Sequence, residues 1–169
     1  MATGDIKGVL AASSQLTITL ASLATDANLL TGSESTEFDN TTTLYPNISV
    51  TGKITVGTSP TTAKEIRVYL VRPMKDGTYP DVFDGTGSAE TISSVGTRES
   101  CCKLIARIDT VATSDLTYYF DSGNIAAIFG FDIISKFVVF VTHSTAVNLN
   151  STAGNHEITV KGTYENVAP

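Results

Sequence analysis

The sequence has no tryptophan, two cysteines and little charge: Asp, Glu, Lys and Arg make up 17% of its 169 residues. About a quarter is usual in globular chains. The cysteines, Cys101 and Cys102, are adjacent. Strand neighbours point to opposite faces and a disulfide between them is strained, so free thiols in a reducing compartment are expected. Basic residues number only 11 against 17 acidic ones, giving a formal net charge of −6. They are spread singly. Nucleic acid needs clustered Lys and Arg to displace counterions, so DNA and RNA are not expected partners. An acidic membrane surface is disfavoured for the same reason. No apolar run approaches the roughly 20 residues that cross a bilayer. The longest, Phe137 to Val141, is strand-sized. Met1 to Asp5 carries no basic region leading into an apolar stretch, so no secretory signal is expected. Assembly in a cytoplasm follows, and the sequons at Asn40, Asn47 and Asn150 are not expected to carry sugar.

What fills the space left by charge is threonine and serine, in a chain that is 41% hydrophobic. The length suits one domain with a real core. Residues 1–12 read as a flexible N-terminal arm, loose unless something holds it. Residues 13–169 read as a single β-sandwich domain. Period-two alternation marks the strands. Leu16, Ile18 and Leu20 form one inward set. Ile48, Val50, Ile54 and Val56 form another, with Gly52 in register. Ile66, Val68 and Leu70 follow after a turn at Gly57–Thr62, which suggests a hairpin. Thr31 to Thr43 reads as mostly loop, and Pro73 to Thr97 as one long loop without period. Cys102, Leu104, Ala106 and Ile108 resume a strand, then Leu116, Tyr118 and Phe120. Ile125, Ile128 and Phe129 have helical spacing, the only helix expected. Phe137 to Val141 is apolar on both faces and reads as a central strand covered on both sides. Ile158, Val160 and Tyr164 close the chain. Two packed antiparallel sheets follow, most naturally jelly-roll-like. The alternative is an immunoglobulin-like sandwich, whose usual Trp and spaced Cys pair are missing.

The sequence carries few signs of chemistry. His143 and His156 flank a loop without metal-ligand spacing, and are expected to face solvent or each other. Asp76, Asp81 and Asp84 are candidate calcium ligands on the long loop. They do not fit the EF-hand spacing, and plain turns are the expected reading. There is no nucleophile elbow, dithiol redox motif or phosphate loop. No enzymatic activity and no cofactor are expected. Tyr69 faces outward in its strand, and Tyr79 and Phe83 lie in the long loop. The three form a candidate sugar platform. Tyr79, Pro80 and Phe83 are also candidate interface anchors, mixing rings with polar edges.

Several strings carry a resemblance. They are Leu20–Thr25 leading into Leu30–Thr36, Gly52–Pro60, Tyr79–Thr86, His143–Thr145 and Leu149–His156. In these the chain resembles virion structural proteins of tailed bacteriophages, the kind that decorate or cement the capsid. The resemblance spans most of the chain and brings no catalytic residues with it. It implies a jelly-roll-like protein bound to the outer surface of the capsid, with the major capsid protein as partner. It also implies a homo-oligomer, with a trimer favoured because three-fold positions recur in icosahedral shells. A tail, neck or fibre component and a carbohydrate-binding sandwich for host adsorption are the alternatives.

Overall fold

The computed structural model describes residues 6–130 and 133–167. Among them, eleven strands form two antiparallel sheets. The first sheet contains β1 (Ile6–Leu10), β11 (Glu157–Val167), β5 (Asn47–Thr55) and β9 (Thr117–Asn124), in that order. A short β2 (Ser14–Gln15) also pairs with β11. The second sheet runs β7 (Ala89–Thr91), β3 (Thr31–Glu34), β10 (Lys136–His143), β6 (Lys64–Val71), β8 (Cys102–Thr110), with β4 (Phe38–Asp39) also on β10. When the eight principal strands are taken in chain order, the sheets read first-eighth-third-sixth and second-seventh-fourth-fifth. That is the rolled-up hairpin order of a jelly roll. The immunoglobulin order groups strands differently, and is excluded.

The core lies between the sheets. Val50, Ile54, Ile158 and Val160 face Ile66, Val68, Leu70, Val139 and Val141, all essentially inaccessible to solvent. β10 is covered on both faces, as its apolar run requires. The expected short helix is present as α2 (Ile125–Ile128), capped by the Asn124 side chain, which accepts from Ala126 N–H at 3.0 Å.

Five expectations are corrected. The 48–70 hairpin does not form: β5 and β6 lie in different sheets, and Gly57–Ala63 crosses between them. Residues 31–43 are not mostly loop, because β3 and β4 pair with β10. β3 is polar and shows no apolar period. Gly32 is required there because a Cβ would collide with the Phe140 ring and the Val141 carbonyl. Leu16 to Leu20 is buried inward as expected, but it crosses between sheets: Leu16 N–H bonds Ile158 O, and Ile18 bridges Ser35. A second helix, α1 (Val95–Cys101), ends the long loop, with the Ser94 hydroxyl accepting from Thr97 N–H at 3.0 Å. Finally, residues 6–10 of the arm are not loose but pair along β11 as an edge strand, from Ile6 opposite Val167 to Leu10 opposite Thr163.

Candidate functional site

The two sheets differ on their outer faces. The second is covered over β10 and the adjoining end of β6. Tyr69, Val71, Val138 and Phe140 point away from the main core and would leave an apolar face in water. Residues of the long loop, Tyr79, Phe83 and Ile92, lie over them and close a second small core that also holds Cys102. Tyr69 is therefore outward in register, as expected, yet buried. Tyr79 and Phe83 are 8% and 4% exposed. The Phe83 ring meets Phe140 edge-on, with centroids 5.3 Å apart. The expected sugar platform of Tyr69, Tyr79 and Phe83 is thus an internal packing unit. Tyr79 and Phe83 are also not available as interface anchors, and Pro80 is half-buried beside them.

Polar contacts fasten this cap at four places. Tyr79 O–H donates to Glu37 Oε2 at 3.0 Å, while Lys136 holds the other Glu37 oxygen at 2.7 Å. Asp81 accepts the backbone N–H and hydroxyl of Ser93 at 2.9 and 2.8 Å. Buried Arg98 donates to the carbonyls of Asn28 and Leu29 at 2.9 and 3.0 Å. Glu34, fully buried on β3, accepts the backbone N–H groups of Asp84 and Gly85. Glu34 and Arg98 gave no signal in the sequence. A buried charge satisfied by main-chain groups leaves no motif.

The three candidate calcium ligands are not brought together. Asp76 accepts from Thr78 N–H, Asp81 binds Ser93, and Asp84 takes the N–H and hydroxyl of Thr86. Each makes a local turn or tie. Asp84 does join a different group: oxygens of Glu34, Asp84 and Glu90 lie within 4.8 Å of one another. Burial, with the Asp84 and Glu90 charges, pushes the Glu34 carboxyl above its ordinary 4.5, against the pull of the two N–H donors. Each carboxylate in the group accepts from loop donors, so the arrangement works as a loop anchor.

The histidines do not face solvent. His143 ends β10, fully buried. Its Nε2 lies 3.0 Å from Leu23 O and its Nδ1 3.0 Å from Thr145 Oγ1. A carbonyl only accepts, so Nε2 carries a proton. His156 accepts Thr55 N–H on Nδ1 at 3.4 Å and donates from Nε2 to Asn150 O at 2.8 Å, which fixes the neutral ring. Burial lowers both, His143 to about 4. Both are structural. The Cys101 and Cys102 sulfurs lie 3.6 Å apart as free thiols, and burial pushes Cys102 up.

The first sheet is open by contrast. On β11, β5 and β9 the outward row Glu157, Lys53, Tyr119 is aligned by the register, and next to it runs Thr159, Thr51, Asp121. A shallow depression of about 240 Å³ lies among Thr51, Lys53, Tyr119, Glu157 and Thr159. Tyr119 is 76% exposed, the most exposed large hydrophobic side chain among the described residues. At the diagonally opposite corner, Ile6 and Leu10 on edge strand β1 are 67% and 65% exposed. The fold thus places two accessible features, the outer face around Tyr119 and the apolar edge β1. No protein-family model and no curated protein matches this chain.

Proposed function

We propose that the protein is a non-catalytic virion component, a decoration or cement protein that binds the outer surface of a tailed-phage capsid through the major capsid protein. The observation that carries the reading is edge strand β1. Its outer edge is unpaired among the described residues, so its N–H and C=O groups are free to accept another strand. Ile6 and Leu10 sit on the same strand face and supply apolar contact. Natural proteins usually blunt such an edge with charge or proline. Here the described strand, Ile6-Lys7-Gly8-Val9-Leu10, carries one lysine and no proline.

The remaining features agree with this role. The rolled sandwich closes two cores, one between the sheets and one under the long loop. Its net charge of −6 suits a position away from packaged DNA. The resemblance in strings such as Gly52–Pro60 and Leu149–His156 points the same way. A homo-oligomer, a trimer in the first instance, gives several weak edge contacts a collective hold on the shell.

The test is co-sedimentation with undecorated capsids, with light scattering of the free protein. Removing residues 1–12 leaves the sandwich folded, because β11 keeps β5 as its partner, and abolishes shell binding. Retention of full binding by the truncated protein refutes attachment through β1. Immunogold labelling of the tail of intact virions, with no binding to capsids, replaces the decoration reading with a tail or fibre role.

A further inference from the structure

We propose that the open face of the first sheet around Tyr119 binds a neutral saccharide, with a sugar ring stacked on Tyr119 and its hydroxyls hydrogen-bonded by Lys53, Glu157, Thr51 and Thr159. This inference does not depend on the decoration reading. The site is on this chain alone, and its test uses the purified protein.

The first argument is the ring. Tyr119 is 76% exposed, and its cross-strand neighbour is Lys53 rather than the aromatic or β-branched residue that would pack on its ring. The face of an aromatic ring is electron-rich. The C–H groups on one side of a pyranose carry slight positive charge and form a flat apolar patch, so the two surfaces match in shape and sign. The phenol rim stays available to water or to a hydroxyl.

The second argument is the set of polar groups beside it. Lys53 Nζ and Glu157 Oε2 are 3.8 Å apart, an ion pair too long for a hydrogen bond. Both groups therefore keep capacity for a ligand: ammonium donors on one side and carboxylate acceptors on the other. Thr159 Oγ1 donates to Glu157 Oε1 at 3.2 Å and orients the carboxylate. A vicinal diol needs this alternation of donor and acceptor. Lys53 offsets Glu157, and Asp121 on the same face leaves the site with a net negative charge, which disfavours an acidic sugar and leaves a neutral one as the complementary ligand.

The third argument concerns what does not fit. The fully buried centre of a protein–protein interface is depleted in Lys, Glu and Ser and enriched in aromatic groups, Met and Arg. The Tyr119 face has one ring set among lysine, glutamate, aspartate and threonine. The depression, about 240 Å³, falls below the roughly 300–1,000 Å³ of pockets that enclose drug-sized ligands. It is open, so it suits one ring of a chain that continues on either side.

The experiment is a two-dimensional ¹H–¹⁵N NMR titration with soluble oligosaccharides of neutral hexoses and of N-acetylhexosamines. An oligogalacturonate and an oligosialate serve as acidic probes. The expected result is saturable shifts of the Thr51, Lys53, Tyr119 and Glu157 amides with a neutral probe. Tyr119→Ala then weakens binding by about tenfold or more, ~1.4 kcal/mol. Tyr119→Phe, which keeps the ring, stays within a few-fold of the parent. Tyr119 is exposed, so neither variant is expected to disturb the fold, and unchanged urea midpoints confirm it. Three results overturn the proposal: no shift at this face with any neutral probe, binding confined to the acidic probes, or a neutral-probe affinity that Tyr119→Ala leaves unchanged.

Discussion

Lowering the pH from neutral to about 4 is expected to destabilise the fold chiefly through His143. In the folded chain this ring is fully buried. Burial moves its proton affinity from the ordinary 6.5 down to about 4, against smaller opposing contributions from the Leu23 carbonyl and the Asp26 charge. Between those two pH values the unfolded chain holds a proton on this histidine that the folded chain does not, so stability falls as pH falls. At ~1.4 kcal/mol per pH unit, the full loss is about 3 kcal/mol, reached as pH approaches 4. His156 is shifted in the same direction and adds to the slope. Glu34 opposes it. Its folded-state affinity for a proton is raised, so the fold gains from protonation there as pH falls toward 4.5. Urea unfolding followed by far-UV circular dichroism at several pH values from 7 to 4 measures the sum. The same series on His143→Gln separates the parts. That variant loses some stability at every pH, but its slope between 6.5 and 4 flattens by the His143 share. A His143→Gln slope identical to the parent's refutes the reasoning.

Other outcomes follow from packing. Val68→Ala and Val139→Ala, both in the closed core, should each cost about 1–3 kcal/mol, whereas Thr159→Ala on the open face should be within ~0.5 kcal/mol of the parent by urea unfolding. Phe83→Ala removes the ring packed on Phe140 and should cost about 3–5 kcal/mol, with faster proteolysis inside residues 73–97 as the local readout. Glu34→Gln keeps an acceptor for the loop N–H groups and removes a buried charge. It should be nearly neutral at pH 7, while Glu34→Ala costs about 1–3 kcal/mol.

How much of this was readable from the sequence depends on the physics of each element. β10 was legible because Phe137 to Val141 is apolar on both faces, and only a central strand covered twice tolerates that. β5 and β11 were legible from alternation, and their glycines, Gly52 and Gly162, sit where a Cβ would collide with a neighbouring ring. β3 was not, since Gly32, Ser33 and Glu34 are buried by their neighbours rather than by their own apolarity. The separation of β5 and β6 is not legible, because a turn cluster such as Gly57–Thr62 serves a hairpin and a crossing between sheets equally well. In β8 the alternation slips, because the extra residue Ile105 sits opposite the step from Val68 to Tyr69 and leaves Leu104 exposed. At the candidate site the reason is more specific. Periodicity places Tyr69 outward, and it is, but only the folded loop shows that outward there means covered. Tyr119 alternates with Tyr118 and Phe120, so its outward position was available from the same period. Alone it carries no signal, because a single tyrosine becomes informative only with Lys53 and Glu157 beside it.

The positions of β1 and Tyr119 on one sheet lead to a last prediction, about whether the two proposed contacts are compatible. Gly8, the middle of β1, lies opposite Glu165, and the Tyr119 row crosses the same strand, β11, at Glu157. Eight residues at about 3.3 Å each separate those points by ~26 Å along the strand. Across the sheet, β1 and β9 stand three strand spacings apart, about 14 Å at ~4.8 Å each. A molecule held by the free edge of β1 therefore keeps the Tyr119 corner at the far end of the same face, beyond the reach of an edge contact. Saturating neutral oligosaccharide should leave co-sedimentation with capsids unchanged, and Tyr119→Ala should bind the shell as the parent does. Removal of residues 1–12 should abolish shell binding while leaving the saccharide titration intact. Competition between saccharide and capsid would mean that the shell covers the open face itself, and attachment through β1 would then be the wrong geometry.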